Sequence, residues 1–221
     1  MIDEQMEALH EQQKHWEREA DRLAEKYPDV HQITLICMAF DYAGVPRIDQ
    51  KFQDGEINFG TACNLIGSYA RFEGAVTQLR NSNVTEDQFF EDLPDLWTSS
   101  DPDDSNSEFL AVWKEARRRK GEIIGSELPT ADPVLYVYRG QMEGDFGFAW
   151  TLDQKRAEKF ARGAGARVPQ LGVVYRGVVL ASDILAYLTG RHEEEIIVDP
   201  ANVQGIQEIA RWVKKEKQDE S

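Results

Sequence analysis

Apolar residues recur along the first 26 positions as one stripe. Ile2, Met6, Leu9, Trp16 and Leu23 share it, with Glu, Lys and Arg elsewhere, which predicts a charged amphipathic helix. Tyr27-Pro28-Asp29 breaks the pattern. The run from Val30 to Phe40 is too short for its period to separate helix from strand, and we read it as helix. Gly44-Val45-Pro46 reads as a loop. From 57 to 80, Phe59, Ala62, Leu65, Ile66, Tyr69, Phe72, Val76 and Leu79 recur three and four apart, predicting one helix. Thr85 with Gln88 resembles a capping box. It opens a helix carrying Phe89, Phe90, Leu93 and Leu96. Residues 98–107 are polar and contain Pro102, so they form a loop. Phe109 to Lys120 is a further helix, stopped by Gly121.

The pattern changes near Pro129. Leu135–Tyr138 and Phe148–Thr151 carry strand signals, and Leu171–Leu180 reads as one or two strands. Leu152–Arg162 reads as a helix with Ala157, Phe160 and Ala161 inward. Ser182 or Asp183 caps a short helical turn through Tyr187. Glu195–Val198 is a strand ended by Asp199-Pro200. Val203–Ile209 adds a last strand or enters a final helix, and the tail from Lys214 frays. Helices precede strands, so the fold class is α+β: a helical N-terminal part against a mostly antiparallel sheet. The division falls into an acidic helical region, 1–130, and a core, 131–221.

Composition adjusts this picture in three ways. Almost all of the net charge of −15 falls in the first 132 residues, where 27 Asp/Glu face 13 Lys/Arg. Such a surface repels a phosphate backbone and disfavours direct nucleic-acid binding there. Its plainest use is solubility, and a basic partner also suits it. The two cysteines, Cys37 and Cys63, do not make a disulfide framework and read as buried thiols in a reducing compartment. No Cys/His spacing resembles a zinc site, so no metal is expected. The longest apolar run, Ile33–Phe40, is too short to span a bilayer. The acidic start lacks a signal-peptide pattern. A cytoplasmic protein without a membrane partner is the expectation.

Three short motifs carry chemistry, in order. Tyr138-Arg139-Gly140 ends a strand and offers a guanidinium beside a glycine. Gly147-Phe-Ala-Trp-Thr151 offers an aromatic ring and a hydroxyl on a strand. Glu193-Glu194-Glu195 runs directly into Ile196-Ile-Val198. If the strand extends back to Glu193, period two puts Glu193 and Glu195 on one face. Two carboxylates so close resist joint ionisation unless a cation sits between them.

The ordered set resembles the arginine-type mono-ADP-ribosyltransferases and a group of small phage and bacterial proteins of that type. The resemblance covers about residues 133–203. It implies a split β-sandwich with a cleft for NAD+ as substrate. Carried over, Arg139 binds a phosphate or the adjoining ribose, and Gly140 leaves room for the dinucleotide. Trp150 and Thr151 wall the nicotinamide-ribose pocket. Glu195 is the catalytic residue, holding the ribose 2′-hydroxyl and stabilising positive charge as nicotinamide leaves. Glu193 orients or deprotonates the nucleophile, and Glu at that place implies an arginine-like acceptor on a macromolecule, a protein first of all. One departure is Ala149, where the family carries a serine. Another is the short interval between Arg139 and Thr151. Both point toward a weak or degenerate enzyme. Water as acceptor would make the chain an NAD+ glycohydrolase, and loss of catalysis would leave an acidic interaction protein. A one-residue shift of the last strand would put Glu194 in the catalytic place.

Each residue also has a plainer reading. Alone, the Glu triplet is a solvated turn, Arg139 a surface ion-pair partner and Trp150 a core residue. His192 reads as a loop residue, and His10 and His15 as exposed. Gly163-Ala-Gly165 lacks the context of a dinucleotide fingerprint and reads as a loop. Arg162 and Arg167 beside it read as surface residues.

Overall fold

The computed structural model of the chain describes residues 14–25, 32–141, 145–163 and 172–212. The described residues divide into two compact units, meeting at Pro102/Asp103. The boundary therefore precedes the expected 130/131, and the helix before Gly121 belongs with the strands.

The described residues of the first unit form five helices: α1 (14–25), α2 (Gln32–Gln53), α3 (Phe59–Leu65), α4 (Ser68–Arg80) and α5 (Glu86–Thr98). The ambiguous run after Val30 is helical, but no loop follows it, because α2 continues through Pro46. A proline inside a helix removes one N–H and crowds the preceding turn. Here contacts on both sides of Pro46 hold α2 in place. Tyr42 donates to Glu73 at 2.7 Å and Gln78 donates to Asp49 at 2.5 Å. The expected helix over 57–80 is two, broken at Ile66-Gly67. The Asp41 carboxylate lies where a Cβ on Gly67 would stand and accepts from the Tyr69 N–H at 3.2 Å. An acceptor brought from another helix thus caps the first turn of α4. Thr85 caps α5 as expected, accepting from the Gln88 N–H at 3.3 Å.

The second unit begins with α6 (Ser107–Lys120), capped by the Asn106 side chain and ended by Gly121 at φ 74°. Next come β1 (Ile124–Gly125), β2 (Val134–Gln141), β3 (Ala149–Thr151), α7 (Gln154–Ala161), β4 (Val173–Leu180), β5 (Ile184–Leu188), β6 (Glu195–Val198) and β7 (Gln204–Arg211). They form one mixed sheet in the order β1-β5-β6-β3-β2-β4-β7, antiparallel except for β1 beside β5. The chain is thus α+β. The segment expected to turn helically through Tyr187 makes a single turn at Ala181–Asp183 and then becomes β5. Val203–Ile209 is strand, not helix.

Strand β2 pairs with β4 over its whole length but meets β3 at one residue pair, Tyr138 opposite Thr151. The sheet is therefore nearly parted at the β2–β3 seam. A single apolar cluster draws on both sides of that seam: Leu135, Val137 and Val179 with Trp150, Tyr187, Ile196 and Val198. On the other side of β2 and β4, α7 packs Ala157 and Ala161 against Val174 and Tyr138. No helix among the described residues is long and apolar enough to cross a membrane. The Lys214–Ser221 tail, His10 and Arg167 lie outside the described residues.

Candidate functional site

The three motifs, separated by up to 57 positions, meet at the seam. Tyr138 on β2 pairs with Thr151 on β3, and Thr151 pairs with Glu195 on β6. These three form one row across the sheet, and paired residues share a face. Arg139 is one residue along from the row, so its side chain starts on the opposite face, with Val137. Glu195 is the first residue of β6. Glu194 lies in the preceding turn at φ 46°. The register thus makes Glu195, rather than Glu194, the partner of Thr151.

Glu193 does not share a strand face with Glu195. The strand does not extend back to it, and the chain from Gly190 to Glu194 is a tight turn. Arg191, His192 and Glu194 take positive φ of 58°, 56° and 46°. For residues with a Cβ this backbone costs about 1 kcal/mol or more each, and the surroundings hold it. Thr151 Oγ1 donates to the Glu193 carbonyl at 2.6 Å and accepts from the Asp153 N–H at 3.1 Å. The Leu152 N–H donates to the Glu194 carbonyl at 3.1 Å. Thr151, 4% exposed, therefore anchors the turn's backbone instead of walling a pocket.

A cation does sit beside Glu193. Arg156, on α7, donates through Nη2 to Glu193 at 2.7 Å and to the Arg191 carbonyl at 3.2 Å. Arg191 Nη2 lies 3.4 Å from the same carboxylate. The Glu193 side chain is 13% exposed. Arg156 stacks over Phe160, and its buried Nε has no hydrogen-bond partner. The Glu194 charge is felt by Tyr187, whose hydroxyl is pushed up, first by burial and then by that carboxylate.

Arg139 donates four hydrogen bonds to three partners. Its Nη1 and Nη2 form a fork on Asp104, at 2.5 and 3.1 Å. Nε donates to Gln141 and Nη1 also donates to the Ala149 carbonyl. It is an ion-pair partner, but a largely buried one, with its side chain 15% exposed.

Two expected pocket residues lie elsewhere. Gly140 faces α7: a Cβ there would stand 1.8 Å from the Ala157 carbonyl oxygen. Its missing side chain admits a helix, so no room for a dinucleotide remains on that side. Trp150 is 2% exposed, within the apolar cluster, and its indole N–H donates to the Gly147 carbonyl at 3.1 Å. It is core. Asp104, Arg156 and Arg191 were not anticipated. Asp104 lies in a polar loop and Arg156 on an amphipathic helix, contexts in which charged residues ordinarily face solvent. Cys63 is buried and its thiol is pushed up to about 12, mainly by desolvation, whereas Cys37 is half-buried. His15 and His192 are exposed. Among the described residues no group of three or more His, Cys, Asp or Glu is arranged to hold a metal. Comparison with known protein families, curated proteins and solved structures finds no match for this chain.

Proposed function

We propose that the second unit is a mono-ADP-ribosyltransferase core that moves ADP-ribose from NAD+ to an arginine-like acceptor on a macromolecule, with release of nicotinamide. The observation that carries it is the pairing of Thr151 with Glu195 across β3 and β6, next to a strained turn, with Arg139 one residue along β2 from the same row and its side chain starting on the other face of the sheet. Strained backbone concentrates where chemistry needs a fixed geometry. The seam, with one residue pair and a shared core on both sides, fits a split β-sandwich.

Each residue has a role suited to its surroundings. Glu195, at the open end of β6, aims negative charge where the ribose becomes positive as the bond to nicotinamide breaks. Thr151 acts through the backbone, fixing the turn that delivers Glu195. The Arg139 fork suits a phosphate oxygen pair. Glu193 already accepts from the Arg156 guanidinium and lies 3.4 Å from that of Arg191, which supports an arginine-like acceptor: the entering nitrogen bonds to the ribose carbon that nicotinamide leaves, and sheds a proton. Ala149 provides no hydroxyl beside this row, so the carboxylate lacks that donor.

The test is to incubate the full chain and Glu195→Gln with labelled NAD+ and a bacterial lysate. The expected result is label on a discrete macromolecule, lowered about 100- to 1000-fold in the variant, with unchanged circular dichroism. Undiminished labelling by the variant would remove Glu195 from the chemistry. Nicotinamide release without label would move the reading to an NAD+ glycohydrolase. Neither, from a folded protein, would leave an interaction protein that keeps only the architecture.

A further inference from the structure

Arg139 meets its counter-charge inside the chain. Asp104 is the second residue of its unit, in the polar loop ahead of α6. Its carboxylate accepts both arms of the Arg139 fork and approaches the Ala149 N–H at 3.4 Å. The loop is tied down at the same point, where the Phe148 N–H donates to the Asp104 carbonyl at 2.9 Å. Gly147 completes the cradle. A Cβ on it would stand 2.4 Å from the Asp104 carboxylate, so glycine is what admits the acid. A guanidinium fork with a main-chain N–H beside it is a receptor for an oxyanion, and a carboxylate and a phosphate offer it similar oxygen pairs.

We infer that Asp104 is an intramolecular anion mimic, a latch that occupies the Arg139 oxyanion site and that a pyrophosphate-bearing ligand must displace. The identity of that ligand as NAD+ rests on the function proposed above; the oxyanion site does not. The latched form binds no phosphate at Arg139, so apparent affinity falls by the fraction of molecules that are unlatched. The pyrophosphate of a dinucleotide carries more charge than one carboxylate and displaces it at sufficient concentration. An arginine kept paired until ligand arrives is also spared the cost of a largely buried, uncompensated charge.

The experiment measures binding of NAD+ and of inorganic pyrophosphate to the full chain by calorimetry. Wild type, Asp104→Asn, Gly147→Ala and the double variant Asp104→Asn/Arg139→Gln are compared. Asp104→Asn removes the mimic's charge. Gly147→Ala keeps that charge but crowds the carboxylate out, and it serves if the first variant fails to fold. Both are expected to tighten binding about tenfold or more, and the double variant to lose the gain. Tighter pyrophosphate binding without NAD+ binding would uphold the latch and sink the NAD+ reading. NAD+ binding that is equal or weaker in folded Asp104→Asn and Gly147→Ala would overturn the latch and leave that reading standing. If no folded variant binds either compound, Arg139–Asp104 is a structural ion pair and both ideas fall.

Discussion

At the scale of single residues, the same side chain type does different work according to its partner. Arg139 and Arg156 are both largely buried arginines on carboxylates. One faces an acid in a polar loop, the other a strained turn. Gly140 shows how little a residue's identity says about its use. Beside Arg139 in sequence, it resembles a ligand-facing glycine, yet the backbone of α7 fills the space. Gly140→Ala is expected to push α7 away from β2 and to destabilise the second unit by about 3 kcal/mol. Chemical denaturation of the full chain measures this. A loss of NAD+ binding with unaltered stability would instead restore the ligand-facing role.

Among the elements, α6 joins a charged outer side to a docked inner one. Arg117 Nε donates to the Ile184 carbonyl at 3.3 Å, and Lys114 pairs with Asp199 just beyond β6. Glu115 is clamped by Arg118 and then Arg119, which hold its carboxyl down at about 2. Asp199 is held below its ordinary range by Lys114 and by the Ala201 N–H. Both folded values are depressed, so this stabilisation is complete above the ordinary carboxylate range and is lost as pH falls through the folded values. The unfolding midpoint of the wild type should therefore exceed that of Glu115→Gln at about pH 6, and the gap should close toward about pH 2. A gap that persists in acid would mean that the clamp acts through packing rather than charge.

For the whole molecule, the division at Pro102/Asp103 makes a direct claim about what folds together. Helix α6 packs on β5 and β1, so a fragment of residues 103–221 should unfold in one cooperative transition. A fragment of 131–221, the core expected from sequence, lacks that cover. It is expected to lose about 3 kcal/mol, roughly 15 °C in the midpoint of a unit this size. Equal midpoints for the two would return the boundary to 130/131.

What could be read from the chain alone were the features with local causes. The α5 cap at Thr85, the stop of α6 at Gly121 and the alternation along β2 all act within a few residues. The order of the three motifs was legible too, because each adjoins or contains a short apolar run. The tertiary structure decided whatever depends on a distant partner. Pro46 stays inside α2 because α4 holds both sides. Residues Ile184–Leu188 form a strand because β1 and β6 flank them. Glu193 leaves the face of Glu195 because Arg156 and Thr151 hold the turn in a left-handed backbone. Asp104 reaches Arg139 across 35 positions, and no local periodicity encodes such a contact. Local hydrogen bonding and hydrophobic alternation are written in neighbouring letters; pairing of charges across a fold is written only in space.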